Sequence, residues 1–140
     1  MLRKSLLCLA AAAVFCGGCV ISKPDKNLQE KNAQPEKPAI VLRHVVLFKF
    51  KEDTTPDQIK KIESEFCALP GKIKAIYDFE WGTDVSVENL SQGFTHCFVV
   101  TFRDQAGRDE YLPHPAHKEF GAFLQPYLEK VLVVDYWTKS

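Results

Sequence analysis

Residues 40–51 read Ile-Val-Leu-Arg-His-Val-Val-Leu-Phe-Lys-Phe-Lys, and this stretch decides the fold. Its period is two: His44, Val46, Phe48 and Phe50 share one face of a strand, and Val45, Leu47, Lys49 and Lys51 share the other. Large apolar residues stand on both faces, so the sheet containing this strand needs cover on two sides. The last strand-like stretch, Val131–Trp137, has the same character, with Val131 and Val133 opposed by Leu132 and Val134.

Between these two strands the signals alternate. Thr55 followed by Pro56 and Gln58 forms a capping-box helix start, and Ile59, Ile62, Phe66 and Leu69 make the apolar stripe that follows. Pro70-Gly71 is the expected helix end. A second strand is expected over Ile73–Trp81, a polar connection over Gly82–Gly93, and a third strand over Phe94–Arg103. Asp104 caps a short helix reaching Leu112. Pro115 then suits the first turn of another helix, in which His117, Phe120, Gly121 and Leu124 share the inward stripe and which Pro126 bends or ends. The order is β-α-β-β-α-β, the ferredoxin-like α+β plan. Helices cover one face of such a four-stranded sheet. The other is left for a partner subunit, so a homodimer is expected.

Arg43–Phe50, Phe79-Glu80-Trp81-Gly82, Gly93-Phe94-Thr95-His96 and Tyr111-Leu112-Pro113-His114-Pro115-Ala116-His117 together resemble the stress-responsive A/B barrel domain family. The resemblance covers Arg43 to Trp137 in the expected order. It implies a homodimeric α/β barrel, two four-stranded sheets closing one eight-stranded barrel with the helices outside. The Tyr111–His117 segment is also similar to that of a plant member of the family that closes a polyketide ring by aldol condensation. That similarity implies an acid–base pair made by Tyr111 and His117, in a pocket lined by His44 and His96. Members with no established reaction share the His-Pro-x-His pattern of His114 to His117.

The residues themselves leave two readings open. His44 and His96 sit on apolar strand faces and His117 on an apolar helix stripe, where a histidine is commonly a hydrogen-bonded part of the core. Three directed into one apolar interior each need partners for two ring nitrogens, which a polar ligand or ordered water would supply. The first reading is therefore a domain that binds a small, mainly apolar molecule, its biochemical role unassigned. The second, which the resemblance implies, is a cofactor-free lyase or cyclase acting on β-keto compounds, with His117 as general base, Tyr111 as proton donor, and His44 and His96 orienting the substrate. No metal set and no cofactor is assigned: His114 and His117 are the one close histidine pair, and no H-E-x-x-H is present. Cys67 and Cys97 read as small buried hydrophobes rather than a disulfide. Trp81, Trp137 and Tyr136 read as core and dimer contacts.

Composition narrows the partners. The chain has 140 residues, 46% hydrophobic and 26% charged, an ordinary balance for one globular domain and unlike a disordered or multi-span chain. Lys+Arg and Asp+Glu both count 18, so no surplus of positive charge favours nucleic acid. The N-terminal region differs from the rest. Arg3 and Lys4 precede the uncharged apolar run Leu6–Phe15, and Gly17-Gly18-Cys19 follows, the shape of a secretory signal over residues 1–18. Gly17-Gly18-Cys19 resembles a bacterial lipobox, with Cys16 where Leu is usual, and implies lipidation of Cys19. Residues 19–39 then form a tether: Ser22–Pro38 has three prolines, alternating charges and no aromatic or β-branched residue. The expectation is an exported protein, anchored by its lipid to the extracytoplasmic face of a bacterial cell membrane and carrying one folded domain over residues 40–138.

Overall fold

In β1 (Leu42–Phe50) Leu42, His44, Val46 and Phe48 are buried, and the residues between them are half-buried. This is the alternation that the sequence predicts. The computed structural model describes residues 40–139. The expected signal over 1–18, the lipidation at Cys19 and the tether over 19–39 lie outside the described residues. Among those residues no helix is long and apolar enough to cross a membrane.

Helix α1 (Pro56–Cys67) begins at the predicted capping box. The Thr55 hydroxyl accepts from the Gln58 amide at 3.3 Å, and the Gln58 side chain accepts from the Thr55 amide at 2.8 Å. A short helix, α2 (Leu69–Lys72), follows, then β2 (Asp78–Thr83), β3 (His96–Phe102), α3 (Gln105–Tyr111), α4 (Pro115–Leu124), a 3-10 turn over Gln125–Tyr127 and β4 (Leu128–Trp137). Asp104 caps α3 by accepting from the Gly107 amide at 2.9 Å. The sheet order is β2-β3-β1-β4 and every pairing is antiparallel, the ferredoxin-like arrangement.

Five expectations need correction. Pro70-Gly71 does not end the helix run. The chain pauses at Ala68, and Pro70, near the start of α2, has no amide hydrogen to lose there. The second strand starts at Asp78 and not at Ile73. Ile73 and Ile76 are buried, but they anchor a turn in which the Ile76 amide donates to the Ile73 carbonyl at 3.2 Å. The third strand starts at His96, two residues past Phe94, and the last starts three residues before Val131. Cys67 is exposed rather than buried; it and the half-buried Cys97 are both free thiols.

The core lies between the sheet and the helices. Phe48, Phe98, Val100 and Phe102 meet Ile62, Phe66, Leu69, Phe120 and Leu124 there, with Phe66 stacked on Phe98 at 4.4 Å between ring centroids. The opposite face has no helix. On β4, Leu132, Val134 and Tyr136 are 46%, 47% and 47% exposed there; Trp81 and Trp137 are exposed as well, but stand in register with buried Phe98 and Leu42 and so on the helix side. In the single chain these aromatic residues are surface, not core. The β2–β3 connection closes through left-handed backbone at Asn89, Gln92 and Gly93. At Gly93 the positive φ of +83° is what favours glycine; a side chain there would also push aside the flexible end of Lys49, whose Cε lies 2.7 Å from the added Cβ.

Candidate functional site

The alternation of β1 turns His44 toward the helices, and α4 supplies the facing wall. Pro115 starts α4, and the His114 ring caps it by accepting from the Ala116 amide at 3.2 Å. His114 thus has a structural task of its own. Three residues into the helix stands His117, half-buried, with Tyr111 from the end of α3 beside it. The Tyr111 and His117 ring centroids are 4.2 Å apart, and His44 meets the Tyr111 ring edge-on at 5.8 Å. These three border a cavity of about 530 Å³ whose walls are otherwise mainly apolar, among them Val46, Phe48, Phe120, Leu124 and Val133.

The hydrogen bonds fix which ring nitrogen carries hydrogen. Nδ1 of His117 lies 3.0 Å from the Leu112 carbonyl, which can only accept, so Nδ1 carries the hydrogen. In the neutral ring Nε2 therefore keeps its lone pair. Burial lowers the His117 pKa below its ordinary value of 6.5; the Leu112 carbonyl opposes that shift, and the nearby His44 and His114 add to it. Burial drives the Tyr111 phenol far the other way, well above its usual 10, which keeps it protonated. One group is held as a neutral base and its neighbour as a neutral acid.

His44 is held from behind. It stands directly opposite Asp135 in the β1–β4 register, and its Nδ1 donates to Asp135 Oδ1 at 2.6 Å. Asp135 Oδ2 accepts from Arg108 Nη1 at 3.1 Å. Neither residue stood out in the sequence, although a carboxylate after the apolar run Val131–Val134 was a legible signal. Glu63 was missed as well, because nothing local marks it.

His96 is not part of this cluster, which corrects the expectation of three histidines in one interior. It faces the helices as its alternation requires, but it pairs with Phe48, four residues along β1 from His44, a separation of about 13 Å. Both its ring nitrogens are engaged: Nε2 donates to Glu63 Oε1 at 3.0 Å, and Nδ1 accepts from the Thr95 hydroxyl at 2.8 Å. It borders a separate recess with Thr95 and Cys97. Among the described residues no group of three or more His, Cys, Asp or Glu is placed to hold a metal ion.

Known proteins share this framework. The stress-responsive A/B barrel domain matches residues 42–138. The stress-response A/B barrel domain-containing protein HS1 of Arabidopsis thaliana is 42% identical over 95 residues, covering 68% of this chain and 87% of that protein. Olivetolic acid cyclase of Cannabis sativa is 34% identical over 97 residues, covering 69% and 96%. Among solved structures, hydroxynitrile lyase from Passiflora edulis superimposes with a TM-score of 0.67 at 30% identity, over 74% of this chain and 96% of that one. A protein of unknown function from Jannaschia sp. CCS1, described as dimeric and ferredoxin-like, does so with a TM-score of 0.61 at 26% identity, over 69% and 97%. The match takes in every strand and helix of the domain and the whole of the cavity. The chain belongs to the stress-responsive A/B barrel domain family.

Proposed function

We propose that the cavity binds a small, mainly apolar carbonyl compound and moves a proton on it without a cofactor, in a reaction of lyase or cyclase type. The observation that carries this reading is the His117 hydrogen bond: with Nδ1 donating to Leu112, Nε2 is the free base atom, next to a phenol held protonated. In the proposed step His117 Nε2 takes a proton from the carbon beside the carbonyl, and the Tyr111 hydroxyl donates to the oxygen on which negative charge develops. His44 orients the substrate; His96, at the far end of the sheet, stabilises the fold through Glu63. The apolar walls accept the rest of the molecule. Similarity to one relative named a cyclase and another named a lyase supports chemistry of this class.

Two substitutions test the proposal. His117→Gln and Tyr111→Phe each keep size while removing the base or the acid, and both are assayed for affinity and turnover on a panel of β-keto compounds. Binding within a few-fold of the unmodified protein, with turnover down by about 10²-fold or more, is the expected result. Binding without turnover in the unmodified protein would reduce the site to a binding pocket. No binding at all would return the three side chains to the core.

The same reading includes a homodimer through the helix-free sheet face, closing a barrel. Its supports are the exposed apolar side chains of β4 and the dimeric description of the Jannaschia protein. It also includes export and a lipid on Cys19, which rest on the residues preceding the domain.

A further inference from the structure

Arg108 does not border the cavity, yet its contacts lead into it. Its guanidinium donates from Nη1 to Asp135 Oδ2 at 3.1 Å, and the other oxygen of that carboxylate accepts from His44 Nδ1 at 2.6 Å. Asp109 steadies the guanidinium from the outside, accepting from Nη2 at 3.1 Å. Along this line the side chains pass from 24% exposed at Arg108 and 30% at Asp135 to 8% at His44. Arg108 also precedes Tyr111 by three residues on α3, the spacing of neighbours on one helix face.

We propose that Arg108 is a positioning residue for the pocket: by holding the Asp135 carboxylate it fixes the ring orientation and the hydrogen placement of His44. Asp135 sits on an edge strand and is partly open to water, so its carboxylate bonded to His44 alone is free to turn about its last torsion. A planar guanidinium on Oδ2 restrains that torsion and leaves Oδ1 for the imidazole. Because a carboxylate only accepts, Nδ1 carries hydrogen whether His44 is neutral or charged. Nε2 is then always the atom offered to a ligand. Water competing for Oδ1 would let the ring flip or change tautomer, and Nε2 would lose its fixed place.

The geometry stands independently of the carbonyl-compound reading; only the effect on turnover rests on it. The experiment therefore has two arms on the full chain. In the first, long-range ¹H–¹⁵N spectra of the imidazoles are recorded at a pH where the histidines are neutral, with His44 assigned through His44→Gln. The unmodified protein should show a single Nδ1–H tautomer at His44. Arg108→Met should broaden or mix it, Arg108→Lys should restore it in part, and Asp135→Leu should abolish it. Should Asp135→Leu fail to fold, the Arg108 pair, at the outer end of the line, decides alone. A His44 signal in Arg108→Met that matches the unmodified protein in shift, width and tautomer overturns the proposal.

The second arm follows turnover on the β-keto panel. Arg108→Met should lower kcat on the order of tenfold with KM within about threefold, less than the roughly 10²-fold that a 1 Å misplacement costs. Arg108→Lys should recover much of the loss. Equal losses in both variants, with the His44 spectrum unchanged, mark a structural ion pair and overturn the proposal. If the unmodified protein turns over nothing on the panel, the carbonyl reading falls while the spectra still decide on Arg108.

Discussion

Gly121 offers a sharp test of whether the cavity is for a ligand or for packing. It lies inside α4, one turn after His117, and borders the cavity. A Cβ added there meets no heavy atom within 4 Å, and its backbone is ordinary helix. Glycine inside a helix costs about 0.8–1.0 kcal/mol relative to alanine, mostly through the freedom of the unfolded chain. Gly121→Ala should therefore stabilise the domain by about 0.5–1 kcal/mol, with no clash to offset the gain. For a domain of this size that is a rise in Tm of roughly 3–6 °C, read by calorimetry or by urea unfolding with an unchanged m value. A glycine kept at that cost fits a site that needs the space. Gly121→Leu extends the side chain into the same opening, and should retain or raise stability while weakening binding of the compounds that the pocket accepts. Loss of stability in Gly121→Ala would refute the open space at this wall. Undiminished binding in a stably folded Gly121→Leu would show that the ligand sits elsewhere.

Other outcomes follow from the same contacts. Because burial lowers the His117 pKa, the acid limb of kcat/KM should have its midpoint below the ordinary imidazole value of about 6.5, read from a pH–rate profile. Stability should move in the same direction. The unfolded chain takes up the His117 proton first as pH drops below about 6.5, so acid removes stability, which unfolding across that range will detect. The unmodified chain should sediment as a dimer by analytical ultracentrifugation, and Val134→Asp, on the helix-free face, as a folded monomer. Intact-mass analysis of the membrane fraction should find a diacylated or triacylated Cys19 as the N-terminus; a soluble species keeping Met1 would contradict anchoring.

What the sequence made legible follows from what periodicity can encode. Alternation over residues 43–50 gave the strand and its two faces, and the Thr55 to Gln58 spacing gave the first residue of α1, because both are local. Ile73 and Ile76 misled for a physical reason: a turn pinned into the core by two buried isoleucines has the same apolar composition as a strand end. The faces of His44, His96 and His117 were readable, and all three do face the helices or the cavity. Position along the sheet was not. His96 lies near the Phe48 end of β1 and His44 near the other because of how β3 pairs with β1, a register that no local pattern states. The same limit hid Asp135, 91 positions from His44 in sequence and directly across from it in β4.

The edge position of β4 has a consequence for the newly made chain. Val131–Val134 is four consecutive apolar residues of high β propensity on a strand that pairs on one side only, with β1. Such an edge is a template on which other chains can stack, a hazard that is greatest while the chain is newly made and the sheet is uncovered. The run is bounded by Glu129 and Lys130 on one side and by Asp135 on the other. Charges that flank an unavoidable apolar strand act as gatekeepers, since a stacked copy would bring like charges into register. Replacing Asp135 with leucine would thus do more than loosen His44: it would join Val131–Val134 to Tyr136 and Trp137 in one unbroken apolar edge, and loss of soluble yield would accompany any loss of the pocket.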